Sequence, residues 1–126
     1  MSNMSDWHVL VIEDEDDSME VVRGLLEHHG IESVGVGSGE DALEAVKEFQ
    51  PSLILVDLAL PGLDGWELLK QFNKIPTLNN VPRVAMTAYH TAELAEQAIE
   101  AGFAAYFAKP LDATSFVREL EVIVDG

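Results

Sequence analysis

Five short apolar runs alternate with five segments of helical periodicity, and that alternation leaves the chain few folds to adopt. The runs are Trp7–Ile12, Glu32–Val36, Leu53–Asp57, Arg83–Thr87 and Ala104–Ala108; the segments are Asp17–His29, Ser38–Phe49, Gly65–Lys74, Thr91–Ala101 and Asp112–Val124. Several runs lack in/out alternation, as strands do when helices cover both faces of a sheet. Strict βαβ alternation predicts an α/β fold: a parallel sheet between two helical layers.

Local chemistry supports the segment ends. Asp64 with Glu67 and Asp17 with Glu20 have capping-box spacing, and Ser38 and Asp112 are good N-caps. Gly30 and Gly102 stand where a helix ends in a left-handed residue. Met19, Val22, Leu25, Leu26 and His29 form one stripe, the pattern of a core-facing helix. With 126 residues the expectation is one domain, 1–126, around one core. The chain stops where the fifth helix would finish, so no output domain is expected within it; a stand-alone regulator and a receiver excised from a larger regulator or hybrid kinase both fit, with Met1 leaning toward the first.

In a parallel sheet all strand C-termini reach one edge, and open α/β sheets keep their ligand sites there. Four runs end at that edge in polar groups: Glu13-Asp14 after the first, Asp57 closing the third, Thr87 closing the fourth and Lys109 after the fifth. The second run ends in Gly35-Val36-Gly37 and contributes nothing. If four strands share a site, they should be neighbours, with the second strand at the far edge. The flavodoxin-like order 2-1-3-4-5 meets that condition.

Asp57 is the focus of this edge. A carboxylate closing an apolar strand is costly unless it has partners or a task. Like charges that converge raise one another's pKa unless a cation neutralises them. An oxygen-only donor set free of cysteine and histidine favours Mg²⁺ before Ca²⁺, and Glu13-Asp14-Glu15-Asp16-Asp17 lacks the glycine and distal glutamate of a calcium loop. A lysine and a hydroxyl beside a metal-bound carboxylate point to a phosphoryl group, with Asp57 as the nucleophile of an aspartyl phosphate.

Charge narrows the partners. Acidic residues number 23 against 7 basic, a net charge of -16, so the surface repels phosphate backbones and anionic lipid. Nucleic acid and membrane are therefore not expected partners. No apolar stretch approaches a membrane span, the N-terminus lacks a signal-peptide pattern, and the absence of cysteine fits a reducing cytoplasm.

In order and at these spacings, the motifs resemble the receiver domains of two-component response regulators. They are Val11-Ile12-Glu13-Asp14-Glu15, Leu55-Val56-Asp57-Leu58 with Leu60-Pro61-Gly62-Leu63-Asp64-Gly65-Trp66-Glu67, Met86-Thr87-Ala88, and Tyr106-Phe107-Ala108-Lys109-Pro110. The resemblance spans nearly the whole chain and implies a flavodoxin-like (βα)5 three-layer sandwich. It implies that Asp57 accepts a phosphoryl group from a histidine kinase or histidine phosphotransfer protein. Mg²⁺ would be held by Asp14 and Asp57, by Glu13 through water, and by the backbone carbonyl of Ala59. Thr87 and Lys109 would contact the phosphoryl oxygens, and Lys109-Pro110 would be a cis peptide. Tyr106 would be the switch aromatic, and the fourth helix, fifth strand and fifth helix would be the face read by a downstream protein. A monomer or a weak phosphorylation-dependent dimer is implied; Arg118 alone in the fifth helix supports no salt-bridged interface. Ala59 and Tyr89 flank the path of the hydrolytic water in that family. Neither side chain orients water and Tyr89 would obstruct it, so a long-lived phosphoryl group is expected.

Two other readings compete. A haloacid-dehalogenase-type phosphatase also uses a strand-end aspartate with Mg²⁺, but needs a second aspartate where Ala59 stands. An FMN binder needs a hydroxyl- and glycine-rich loop where Glu13-Asp14-Glu15-Asp16-Asp17 stands. Among the bystanders, Glu15, Asp16 and Asp17 read as first-turn helix acids. His8, His28, His29 and His90 have no metal or relay spacing, and Trp66 reads as packing.

Overall fold

The computed structural model describes residues 4–125; Met1, and the reading placed on it, lie outside them. The strands are β1 (His8–Ile12), β2 (Glu32–Val36), β3 (Leu53–Asp57), β4 (Arg83–Thr87) and β5 (Ala105–Ala108). The helices are α1 (Asp16–His28), α2 (Gly39–Glu48), α3 (Gly65–Phe72), α4 (Ala92–Ala101) and α5 (Phe116–Asp125). All pairings are parallel and the strand order is β2-β1-β3-β4-β5. The expected order therefore holds, and the four strands with polar C-terminal ends lie side by side.

Period-two alternation sorts the strand side chains into two cores. Leu10, Ile12, Ile54, Val56 and Ala85 pack with Ala42 of α2, with Leu68, Leu69 and Phe72 of α3, and with Ala98 of α4. Val9, Val11, Leu53, Leu55, Val84 and Met86 pack on the opposite face with Val22 and Leu26 of α1 and Phe116, Val117 and Leu120 of α5. Every residue of β3 and β4 is buried, so no register slip can exchange an apolar side chain for solvent. This rigid pair of strands carries Asp57 and Thr87.

Most predicted helix ends hold, and the differences have local causes. The side chains of Ser38, Asp64 and Thr91 accept from the amides of Asp41, Glu67 and Leu94, capping α2, α3 and α4. Gly30 and Gly102 adopt φ of 73° and 118° at the ends of α1 and α4. The Asp17/Glu20 box does not form: α1 begins one residue earlier, with Glu15 at its N-cap and no side-chain cap. The Glu15 amide turns back to Glu13 Oε2 (3.3 Å), and the Met19 amide closes the first turn on Glu15 O. Asp112 does not cap α5. Its carboxylate takes the Thr114 amide and hydroxyl (2.8 and 2.6 Å) in a separate turn, so α5 starts at Phe116. α3 stops at Phe72, because the Lys74 amide bonds Gln71 O in a tight turn before Pro76. His29 leaves the core stripe: it is exposed at the end of α1, its Nδ1 3.0 Å from Leu25 O. Trp7 precedes β1 yet is only 2% exposed.

Gly24 lies inside α1 and a Cβ there would meet nothing within 4 Å. Gly24→Ala is expected to raise stability by about 0.5–1 kcal/mol, by restricting the unfolded chain without a steric cost. A urea midpoint that fails to rise at unchanged m would contradict this.

Candidate functional site

The C-terminal edge of the sheet gathers the expected groups. Glu13 follows β1 and is 2% exposed; Asp57 closes β3 and is 4% exposed; Thr87 closes β4 and is 1% exposed. Asp14, next to Glu13, is exposed to solvent. One carboxylate oxygen from each of Glu13, Asp14 and Asp57 lies within 4.8 Å of the others, a spacing that a single small cation can span. Lys109, one residue past β5, bonds Glu13 Oε1 and reaches Asp57 Oδ2 at 3.0 Å. The Lys109-Pro110 peptide is cis, as the resemblance implied.

The backbone completes Asp57's surroundings. The Ala59 amide donates to Asp57 Oδ1 (2.9 Å), and the Leu58 amide donates to Met86 O (2.9 Å), tying the loop after β3 to β4. The Lys109 amide donates to Thr87 O (2.9 Å), tying the end of β5 to the other side of β4. Gly65 lets α3 approach from beneath: a Cβ there would sit 2.8 Å from Leu58 Cα and 3.0 Å from Asp57 O.

Two buried carboxylates and one ammonium leave a charge to be resolved. Burial raises Glu13 to about 7, the hydrogen bond and charge of Asp57 add to the rise, and Lys109 opposes it. For Asp57, burial also pushes upward, but hydrogen bonds from Glu13, the Ala59 amide and Lys109 outweigh it and hold the group below its ordinary value. The two groups are pushed in opposite directions, so a proton shared by the pair falls on Glu13 before Asp57. Lys109 is raised: burial lowers it, and the contacts with Glu13 and Asp57 more than compensate.

This proton has a consequence for stability. Between 4.5 and about 7 the folded chain holds a proton on Glu13 that the unfolded chain has lost. The folded state binds more protons there, so metal-free stability falls as pH rises through that window. Asp57 contributes the opposite slope only in the acid range, because its pKa is lowered from 3.8, and Lys109 acts above 10.5. Urea midpoints in chelator are expected to drop between about pH 5 and pH 8, with a smaller drop in Glu13→Gln. An equal drop in the variant would assign the slope to the rest of the acidic surface.

Thr87 and Tyr106 are not joined to each other. The Thr87 hydroxyl oxygen accepts from the Tyr89 amide (3.1 Å). Tyr106, on β5, is half-buried, and its phenol lies 3.0 Å from His90 Nδ1. Burial raises the phenol above its ordinary value, against an opposing contribution from the Thr91 backbone. His90, an ordinary residue on the sequence reading, is a neighbour of Tyr106; a partner 16 residues away leaves no periodic signal. Tyr89 is 74% exposed, so its ring is not packed down over Asp57 in this state. Trp66 packs edge-on against Phe103 at 6.0 Å, as its reading as a packing residue anticipates.

A parallel five-stranded sheet with this carboxylate, lysine and hydroxyl edge defines the receiver class. Residues 9–121 match the profile of the response regulator receiver domain, and the chain belongs to that family. It is similar to the polar-differentiation response regulator DivK of Brucella ovis, 32% identical over 113 residues that cover 90% of this chain and 92% of the relative. A two-component response regulator from Clostridium difficile superposes with a TM-score of 0.84 at 26% identity, covering 95% of this chain and 97% of that one. The chemotaxis response regulator CheY4 of Vibrio cholerae shares the fold, with a TM-score of 0.85 at 20% identity over 93% of this chain and 98% of that one. The chain is a phosphoacceptor-type signalling domain, and the phosphatase reading is not supported. Among the described residues no helix is long and apolar enough to cross a membrane.

Proposed function

We propose that Asp57 is the phosphoacceptor of a two-component relay and that residues 1–126 act as one receiver unit. The observation that carries this reading is a buried carboxylate at a strand end, hydrogen-bonded to Lys109 and within cation-sharing distance of Glu13 and Asp14. An oxygen of Asp57 forms a bond to phosphorus as the phosphorus–nitrogen bond of a phosphohistidine breaks. The departing imidazole keeps the electron pair and takes a proton from solvent. The donor is a histidine kinase or histidine phosphotransfer protein.

Mg²⁺ would be held by Asp14 and Asp57 directly, by Glu13 through water, and by the Ala59 backbone carbonyl. The all-oxygen donor set and its spacing suit that ion. Mg²⁺ supplies neutralisation of the phosphoryl and carboxylate charge. Lys109 provides a second positive charge on the other side of Asp57. Thr87 already accepts the Tyr89 amide, which leaves its O–H to donate to a phosphoryl oxygen. Drawing Thr87 toward that oxygen shifts Tyr106 and the α4–β5–α5 face, which an unidentified downstream protein reads as a population shift. The domain catalyses its own phosphorylation and slow dephosphorylation and turns over no separate substrate. It works in the cytoplasm as a monomer or a weak phosphorylation-dependent dimer. The net charge of -16 disfavours nucleic acid and anionic membrane as partners.

The test is intact-mass measurement after exposure to acetyl phosphate. One phosphoryl group per chain with Mg²⁺, and none in excess chelator, is the expected result. Multiple turnover of a generic phosphomonoester, without a stable adduct, would sink the reading.

A further inference from the structure

We infer that His90 is a latch that holds Tyr106 in its resting position and so sets the threshold for switching. The inference rests on the reading of Tyr106 as the switch aromatic. Its geometry stands apart from that reading. His90 Nδ1 lies 3.0 Å from the Tyr106 hydroxyl, and the two rings lie 5.3 Å apart at 42°. His90 sits on the β4–α4 loop between Tyr89, whose amide holds the Thr87 hydroxyl, and Thr91, whose side chain caps α4. One four-residue connection, 88–91, therefore holds Thr87, Tyr106 and the start of α4 at once.

The bond opposes activation for a simple reason. His90 is exposed, so the bond anchors the phenol toward the surface. Any inward move of Tyr106 gives it up, together with the contact between the rings. A phenol both donates and accepts, so it can pair with either tautomer of the imidazole. Neighbouring aromatic rings add an attraction of their own. A ligand that favours the switched state must overcome the latch, and by linkage the latch weakens that ligand's apparent affinity by the same factor.

Beryllofluoride with Mg²⁺ is the probe, since it mimics the phosphoryl group without covalent chemistry. Titration of His90→Ala should show an apparent affinity about two- to tenfold tighter than the parent, the range expected for one hydrogen bond with a modest net contribution. In a Tyr106→Phe background, which has no hydroxyl, most of that gain should vanish. The chain has two tyrosines, so fluorotyrosine labelling gives two ¹⁹F signals, assigned with Tyr89→Phe. The Tyr106 signal should move in ligand-free His90→Ala toward its position in the ligand-bound parent. Equal affinity and an unmoved signal would overturn the latch while leaving the phosphoacceptor reading intact. So would an affinity gain that persists undiminished in Tyr106→Phe. If beryllofluoride does not bind the parent, the phosphoacceptor reading fails instead, and a ligand-free Tyr106 signal unmoved by His90→Ala would still overturn the latch.

Discussion

Asp57→Asn should reduce phosphoryl incorporation from acetyl phosphate to background, the largest effect expected of any single change. Asparagine keeps the shape of the side chain and removes its nucleophilic carboxylate, so the loss is chemical rather than structural. Two further readings separate that cause from misfolding. The fall of the metal-free urea midpoint with rising pH should shrink, because the hydrogen bond and charge of Asp57 both help to raise Glu13. Affinity for Mg²⁺ should fall, because one of the three clustered carboxylates is gone. A variant that is folded, weaker for Mg²⁺ and inert toward acetyl phosphate is the predicted combination. Continued one-for-one phosphorylation would move the acceptor to another residue.

The second large effect is Gly65→Ala. Gly65 opens α3, and its added Cβ would meet Leu58 Cα at 2.8 Å and Asp57 O at 3.0 Å. Both are backbone atoms, so no rotamer change relieves the overlap; either α3 or the loop after β3 must move. Overpacking of this kind costs about 1–3 kcal/mol. The displaced backbone belongs to Asp57 and Leu58, so the rate of phosphorylation should fall along with the urea midpoint. An unchanged midpoint would show that α3 yields freely and that the close approach does not hold the loop. Gly24→Ala is the same substitution with the opposite expected sign, because a Cβ at Gly24 enters open space. Measuring the two together separates the steric effect from the general effect of glycine on the unfolded chain.

Much of the molecule was readable before any coordinates. β2, β3 and β4 fall where the apolar runs place them, and the order 2-1-3-4-5 follows from asking which strand ends carry polar groups. Glu13, Asp14, Asp57, Thr87 and Lys109 do meet at one edge. Errors gathered where a side chain had more than one available partner. Asp112 has the composition of a helix cap, but Thr114 offers its carboxylate an amide and a hydroxyl two residues on, and the local turn wins. Asp17 and Glu20 have the spacing of a capping box, but the helix starts at Asp16 and leaves the box inside its first turn.

What the sequence determined alone is periodicity: which segments are strands, which are helices, and therefore which polar residues reach the C-terminal edge. Side-chain direction repeats every two residues in a strand and about every 3.6 in a helix, so these assignments need only neighbours in the chain. The tertiary structure decided which of two buried carboxylates is pushed up and which down, that Lys109 bridges Glu13 and Asp57, that Gly65 admits α3 beneath the loop, and that His90 meets the Tyr106 hydroxyl. Each depends on a distance between residues far apart in sequence. Steric exclusion, hydrogen bonding and desolvation all act on distance in space, which chain spacing does not encode.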